Sequence, residues 1–447
     1  MTSLDEQYLD FVTRTRHIFE QHPRLEAMRY NTFKHLLVGH ETMGATDVVK
    51  HWVRPLLKRE HTAGPLEPAD VIVWIESRRA TSIAALLDAY KEMKARGISV
   101  TAISLGGPQK LLGEALQFQY VAQVNPPRWA KGAWQSLVAA YDELRDPGLE
   151  RTFMYNCATQ RGLYAELERL FAAMQPKVVF IFSKQMPGGA AVAVVAREQG
   201  ALSLELQHGV LQPFYVPLVT DYMLTWGQSS NDTLTALGVP EERLVPLGSP
   251  RHDDMHPVGD GEARATFLSA LKLPDLPTLV FFSNGNDLVR NGIAPAESAQ
   301  WLEATAAQLA DRFNFVVRLH PNEDGALYAD CPHLTITRQE LDLATTLEGC
   351  DIVGSLCSTV LVEGLLYDKP VWQFFADGWP NLADNWKTGL ATRIASESEL
   401  VSMVENVITQ GTDNLFEARL KERVFANHGH ATHAIADFVQ QHLEDTA

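Results

Sequence analysis

The run NFVVRLHPNED, residues 314 to 324, carries an apolar strand pattern up to an imidazole at its tip, His320, followed at once by Pro321. Strand side chains alternate, so Arg318 shares a face with His320. Such a pair suits a phosphate, to which an imidazole donates a hydrogen bond and, when protonated, a charge that helps a nucleotide leave. It also suits a metal, with Glu323, Asp324 and His333 as nearby ligands, although no HxH or HExxH spacing accompanies it. A loop histidine with neither role is the third reading. Pro321 has no N–H to continue the ladder and ends the strand.

Three further stretches have the same character. In GSLCSTVLVEGLLYDKPVW, 354 to 372, Ser355, Ser358 and Thr359 stand where a strand gives way to a helix, so hydroxyls and free amides converge on an anion at the helix's positive end. Glu363 follows Thr359 by one helical turn, placed to accept hydrogen bonds from ribose hydroxyls. A plain cap accounts for the same serines. In LQHGV, His208 lies between Gln207 and Gly209, and the glycine lets a ligand approach the backbone closely, making His208 a candidate base or phosphate ligand. GSPRHDD offers Arg251 as an anion clamp with Asp253 beside it; a turn with an exposed ion pair reads equally well. Glu76, at the end of DVIVWIES, is a candidate general base or a carboxylate facing a helix dipole.

All of these positions follow apolar runs, and the runs define the fold class. DVIVWIES (70–77), ISVTAISL (98–105), PKVVFIFS (176–183), ALSLELQHG (201–209), DYMLTWG (221–227) and RLVPLGSPRHDD (243–254) are separated by helical patterns. TLVFFSNGN (278–286), the opening run, DIVGS and KPVWQF repeat the scheme. Strand, helix, strand in succession predicts parallel sheets covered on both faces, and such sheets bind ligands beyond the carboxyl ends of their strands. Polar, basic and glycine-rich residues gather there, Ser183 with Lys184 and 283–287 included.

Residues 5 to 60 read as a helical extension, with Tyr8, Phe11, Ile18 and Phe19 at helical spacing. The Pro- and Gly-bracketed stretch HPVGDGEARATFLSALKLPDLP breaks the pattern and places a domain boundary near residue 255, giving domains 1–255 and 256–412 and terminal helices over 413–447. The 447 residues suffice for two cores, with 46% hydrophobic and 21% charged residues as in soluble globular proteins. A formal net charge of −17 argues against nucleic acid and against a polybasic membrane patch. Four unevenly spaced cysteines (Cys157, Cys331, Cys350, Cys357) indicate neither a disulfide framework nor a zinc knuckle and suit a reducing cytoplasm. The N-terminal run has no apolar signal core, and no window approaches a membrane span.

In combination, QHG (207–209), DYMLTWG (221–227), GSPRHD (248–253), RLHP (318–321) and DIVGSLCSTVLVEGLLYDKPV (351–371) resemble, in order and spacing, the GT-B glycosyltransferases of the CDP-glycerol glycerophosphotransferase and capsule polysaccharide type, a group similar to bacterial sialyl- and Kdo transferases in its HP and serine motifs. The resemblance covers residues 176 to 375 best, and its serine motif reads SLCST rather than a plain Ser-Ser pair. It implies two Rossmann-like domains facing a central cleft and a metal-independent transferase without cofactor. The C-terminal domain would bind a nucleotide-sugar donor, a CMP or CDP derivative, with Arg318, His320, Pro321, Ser355, Ser358 and Thr359 at the phosphate and Glu363 at the ribose. The N-terminal domain would bind the acceptor, a glycan or lipid-linked glycan, with His208, Gln207, Gly209, Arg251, Asp253 and Glu76 at the cleft. The terminal helices would pack back across the first domain. The expected location is the cytoplasm, with the inner face of the membrane compatible with such an acceptor. Two alternatives share the fold: a non-hydrolysing UDP-sugar 2-epimerase, against which the long helical opening stands, and a non-catalytic sugar-nucleotide-binding scaffold.

Overall fold

The computed structural model describes residues 4–44, 66–76, 80–105, 115–120, 122–123, 125–259, 261–284, 295–379, 385–412 and 414–446. The chain forms two compact units, one of residues 1–253 with 426–447 and one of residues 254–425.

The first unit is built on seven parallel strands: β1 (Val71–Ile75), β2 (Val100–Leu105), β3 (Leu116–Phe118), β4 (Val178–Ile181), β5 (Leu202–Leu206), β6 (Tyr222–Thr225) and β7 (Leu244–Pro246). They lie in the order β3-β2-β1-β4-β5-β6-β7. Every residue of VIVWI and VVFI is buried, because helices cover both faces and neither face has a polar alternate position to offer. Alternation divides β1 between two cores. Ile72 and Trp74 pack with helices Pro147–Met174 and Pro187–Gln199. Val71, Val73 and Ile75 pack with Ile435, Ala436 and Val439 of helix Ala431–Asp445. In helix Pro187–Gln199 the run from Gly188 to Ala196 is wholly buried; its small side chains let it lie close on the sheet.

The helical extension is more broken than its periodicity suggests. Helix Leu4–Gln21 is followed by a 3-10 turn, Pro23–Met28, a single turn at Arg29–Asn31 and a π-helical segment, Thr32–Val38. Pro23 explains the first break, since it cannot continue the helical hydrogen bonds. Tyr8, Phe11, Phe19, Phe33 and Leu36 form a separate core with Trp134 and Phe153. The expected helix over 45–60 lies outside the described residues.

The second unit repeats the plan with β8 (Thr278–Phe282), β9 (Asn314–Arg318), β10 (Thr335–Thr337), β11 (Ile352–Ser355), β12 (Val371–Phe374) and β13 (Thr392–Ile394), all parallel in the order β10-β9-β8-β11-β12-β13. Its core gathers Phe281, Phe315, Val317, Trp372 and Phe374 with Leu302 and Leu400 from covering helices. In both sheets the chain runs outward from the first strand and then returns to its other side, so the topological switch points fall between β1 and β4 and between β8 and β11. No described helix is long and apolar enough to cross a membrane.

Candidate functional site

At the first switch point Glu76 leaves β1 and meets the start of helix Pro187–Gln199. Its carboxylate accepts hydrogen bonds from the amides of Gly188 (3.2 Å) and Gly189 (2.8 Å), and the Trp74 indole N–H lies 3.5 Å away. The glycines are dictated by this approach: a Cβ on Gly188 would stand 2.6 Å from Glu76 Oε2, and one on Gly189 would stand 2.2 Å from the Ser183 carbonyl. Burial raises the Glu76 pKa above the ordinary carboxylate value, against the opposing pull of the two amides. Of the two sequence readings, the geometry realises the helix cap.

At the neighbouring tips, His208 follows β5. Its half-buried ring lies between Phe182, with centroids 4.5 Å apart, and Tyr215, at 5.2 Å. The Tyr215 hydroxyl is 3.3 Å from both ring nitrogens. Burial holds the imidazole down to about 4, outweighing its hydrogen bonds to the Phe182 and Leu206 backbone, so His208 is neutral near pH 7. A neutral imidazole accepts a proton; it does not bring positive charge to a phosphate. Gln207 is a structural brace: its side chain accepts from the Trp226 amide (2.9 Å) and donates to the Gly209 carbonyl (3.0 Å).

A buried acid that apolar-run reasoning passes over lies beneath, beside the Lys184 already noted at its strand tip. Glu205, inside β5, is 0% exposed and accepts from the Lys184 amide at 3.0 Å, while its second oxygen has no partner. The Lys184 ammonium donates to the Pro217 carbonyl at 2.7 Å. Burial pushes the carboxyl up and the amine down, and each charge partly restores the other. A lone acid inside a central parallel strand is the signal that was present in ALSLELQHG.

GSPRHD serves the fold. Asp253 accepts from the amides of Ala431 and Thr432, both at 2.9 Å, and from the Thr432 hydroxyl at 2.7 Å, capping helix Ala431–Asp445. Gly248 has a φ of +85°, and a Cβ there would lie 2.2 Å from the Ala426 carbonyl, where the returning chain docks on Trp226. His252 is 2% exposed and meets Trp226 edge-on. Arg251 stands half-buried on the same 3-10 turn, and its charge, after burial, helps hold His252 down to about 3.

In the second unit, His320 caps β9 half-buried, and its Nδ1 accepts from the Asn322 amide at 3.3 Å. In the neutral ring the proton therefore sits on Nε2, leaving a donor to offer a ligand. Pro321 lies within a tight turn closed by the Glu323 amide on the His320 carbonyl, 2.9 Å. Glu323, 5% exposed, accepts from Ser283 Oγ (2.5 Å) at the β8 tip and from the His320 amide (3.4 Å). Arg318 does not join His320. Its guanidinium donates to the Asp342 carbonyl at 3.0 Å and to the Thr346 hydroxyl, tying β9 to helix Leu343–Gly349.

The serine motif divides in the same way. Ser355, 0% exposed, spans the second switch point, with Oγ 2.7 Å from the Phe282 carbonyl and 2.9 Å from Asn284 Oδ1. Ser358 and Thr359 are half-buried; Ser358 Oγ accepts from the Val360 amide (3.3 Å), while Thr359 makes no side-chain cap. The helix predicted after them is only Val360–Gly364, passing into a 3-10 turn at Leu365, so little dipole backs these hydroxyls. Glu363 is 0% exposed, not the open carboxylate that a ribose contact calls for. Among the described residues no three His, Cys, Asp or Glu side chains converge to hold a metal.

No family model matches the sequence, and no curated protein matches it. Among solved structures the chain is similar to S. aureus MnaA with UDP, at a TM-score of 0.54 and 10% identity over 84% of this chain and 96% of that one. The fold is GT-B. Two others agree: the Methanocaldococcus jannaschii UDP-GlcNAc 2-epimerase in complex with UDP-GlcNAc and UDP (TM-score 0.50, 11% identity, 83% of this chain and 99% of that one), and Anabaena HepE in complex with UDP (0.50, 10%, 84% and 99%). At such identities the likeness speaks for GT-B architecture and leaves chemistry to the residues.

Proposed function

We propose that this chain is a transferase that takes a sugar or polyol phosphate from a cytidine nucleotide, CMP or CDP, and passes it to a hydroxyl of a surface polysaccharide or lipid-linked glycan. The observation that carries this reading is the state of the first unit's strand tips. Both oxygens of Glu76 are bound by helix amides, Glu205 has no exposed surface, and His208 remains as a half-buried neutral imidazole. It accepts the acceptor's proton as the new bond to oxygen forms and the bond to the nucleotide phosphate breaks, the electron pair leaving with the nucleotide. A base as weak as His208 fits a reaction in which the leaving group departs ahead of deprotonation.

On the donor side, the Nε2 proton of His320 and the hydroxyls of Ser358 and Thr359 would hold the departing phosphate, without a metal. Arg318, tied to Asp342 and Thr346, and Ser355, tied to the β8 tip, would brace these elements, and Glu363 would serve the ribose. The structural neighbours carry UDP, which makes UDP the competing donor and UDP-sugar 2-epimerisation the competing reaction.

Thermal-shift measurements with CMP, CDP, UDP and GDP test the proposal. The expected result is preferential stabilisation by a cytidine nucleotide that disappears in His320→Ala. A clear preference for UDP, untouched by His320→Ala, overturns it.

A further inference from the structure

The helical extension has no place in the reaction proposed above, yet its contacts lead to His208. Segment 214–217 is gripped at consecutive residues. The ring of Phe214 packs on Tyr8 (4.9 Å) and Tyr30 (5.3 Å). The Tyr8 hydroxyl, from helix Leu4–Gln21, donates to the Val216 carbonyl at 2.9 Å, and Lys184 donates to the Pro217 carbonyl at 2.7 Å. Between these anchors Tyr215, 3% exposed, reaches to the other side and sets its hydroxyl against the His208 ring.

The Tyr215 hydroxyl stands 3.3 Å from both ring nitrogens, so it holds the imidazole in place without choosing between its tautomers. The two rings lie 5.2 Å apart at 36°, and Phe182 packs on the imidazole at 4.5 Å. Contacts from both rings leave His208 little freedom to turn.

We propose that Tyr215 is a positioning residue that fixes the orientation of His208, and that the helical extension belongs to the reaction centre because Tyr8 and its aromatic neighbours hold Tyr215 in place. The role as positioner of a base rests on the transferase reading. The placement of the ring does not. The ionisable groups on this side are Tyr215 itself, Glu205, whose charge acts on Tyr215, and Lys184, whose charge acts on Glu205.

The test is a histidine titration by long-range 1H–15N NMR on the full chain without any ligand, with the His208 signal assigned by its loss in His208→Ala. Tyr215→Phe keeps the ring and removes the hydroxyl. The His208 pKa is then expected to rise from about 4 by up to about one unit, the worth of one polar contact that favours the buried neutral ring. Tyr8→Phe, which removes only the bond to Val216, is expected to shift the same signal by a smaller step, and it decides the matter if Tyr215→Phe fails to fold. An unchanged His208 pKa in Tyr215→Phe overturns the positioning role; an unchanged signal in Tyr8→Phe overturns the part assigned to the extension. Because no nucleotide enters the experiment, its failure is distinct from failure of the thermal-shift test above.

Discussion

Replacing Asp253 separates two roles that its sequence context leaves open. Its carboxylate makes three hydrogen bonds to the first turn of helix Ala431–Asp445, two of them to main-chain amides with no intrahelical acceptor. A cap of this kind is worth up to about 2 kcal/mol, and the negative charge at the helix start adds about 0.3–1. Asp253→Ala should therefore cost about 2–3 kcal/mol, and Asp253→Asn, which keeps one acceptor oxygen, about 1. Global unfolding of a two-unit chain need not be two-state, so the cleaner measurement is amide exchange of residues 435–445 by mass spectrometry. If the helix opens on its own, exchange in Asp253→Ala accelerates roughly 30- to 150-fold, the kinetic equivalent of that loss. Unchanged exchange together with weakened nucleotide or acceptor binding would refute the capping role and return Asp253 to the ligand.

Two other perturbations bear on the buried charges. His252 sits at about 3 when folded and near 6.5 when unfolded, so the unfolded chain binds the extra proton. Its neutrality thus contributes stability that is fully present above about pH 6.5 and is lost progressively as pH falls toward 3; His252→Phe should flatten that acid limb in urea titrations, and an unchanged limb refutes the assignment. Lys184→Met removes the charge that draws the Glu205 carboxyl down and leaves the Pro217 carbonyl without its donor; it should cost about 1–3 kcal/mol, part of it recovered by adding Glu205→Leu. Equal losses in single and double variants would show that the two groups are not coupled.

The central strands were plain in the sequence because burial on both faces leaves only apolar residues, as in VIVWI and VVFI. The strands that escaped, β3, β10 and β13, are three residues each and lie toward sheet edges, where half-exposed positions dilute the pattern. His208 and His320 could be found because a strand tip is a local feature. Tyr215 could not, since its partner is reached through a turn, nor could the capping role of Asp253, whose helix begins 178 residues later. Arg318 misled for the opposite reason. Strand alternation predicts a shared face with His320 but says nothing of Asp342 and Thr346, which engage the guanidinium.

The return of residues 426–447 to the first unit also orders events during synthesis. Chains emerge from the ribosome N-terminus first, and domains tend to fold as units as they appear. Here the unit begun first is finished last: Leu86, Ala89 and Met93 of helix Ala80–Ala95 pack with Val71, Val73 and Ile75 early, but Ile435, Ala436 and Val439 complete that core only at the end. The whole of the other unit is made in the interval. A nascent chain of this protein therefore carries an incomplete apolar core through the translation of some 170 residues, and that interval is when it has most need of a chaperone.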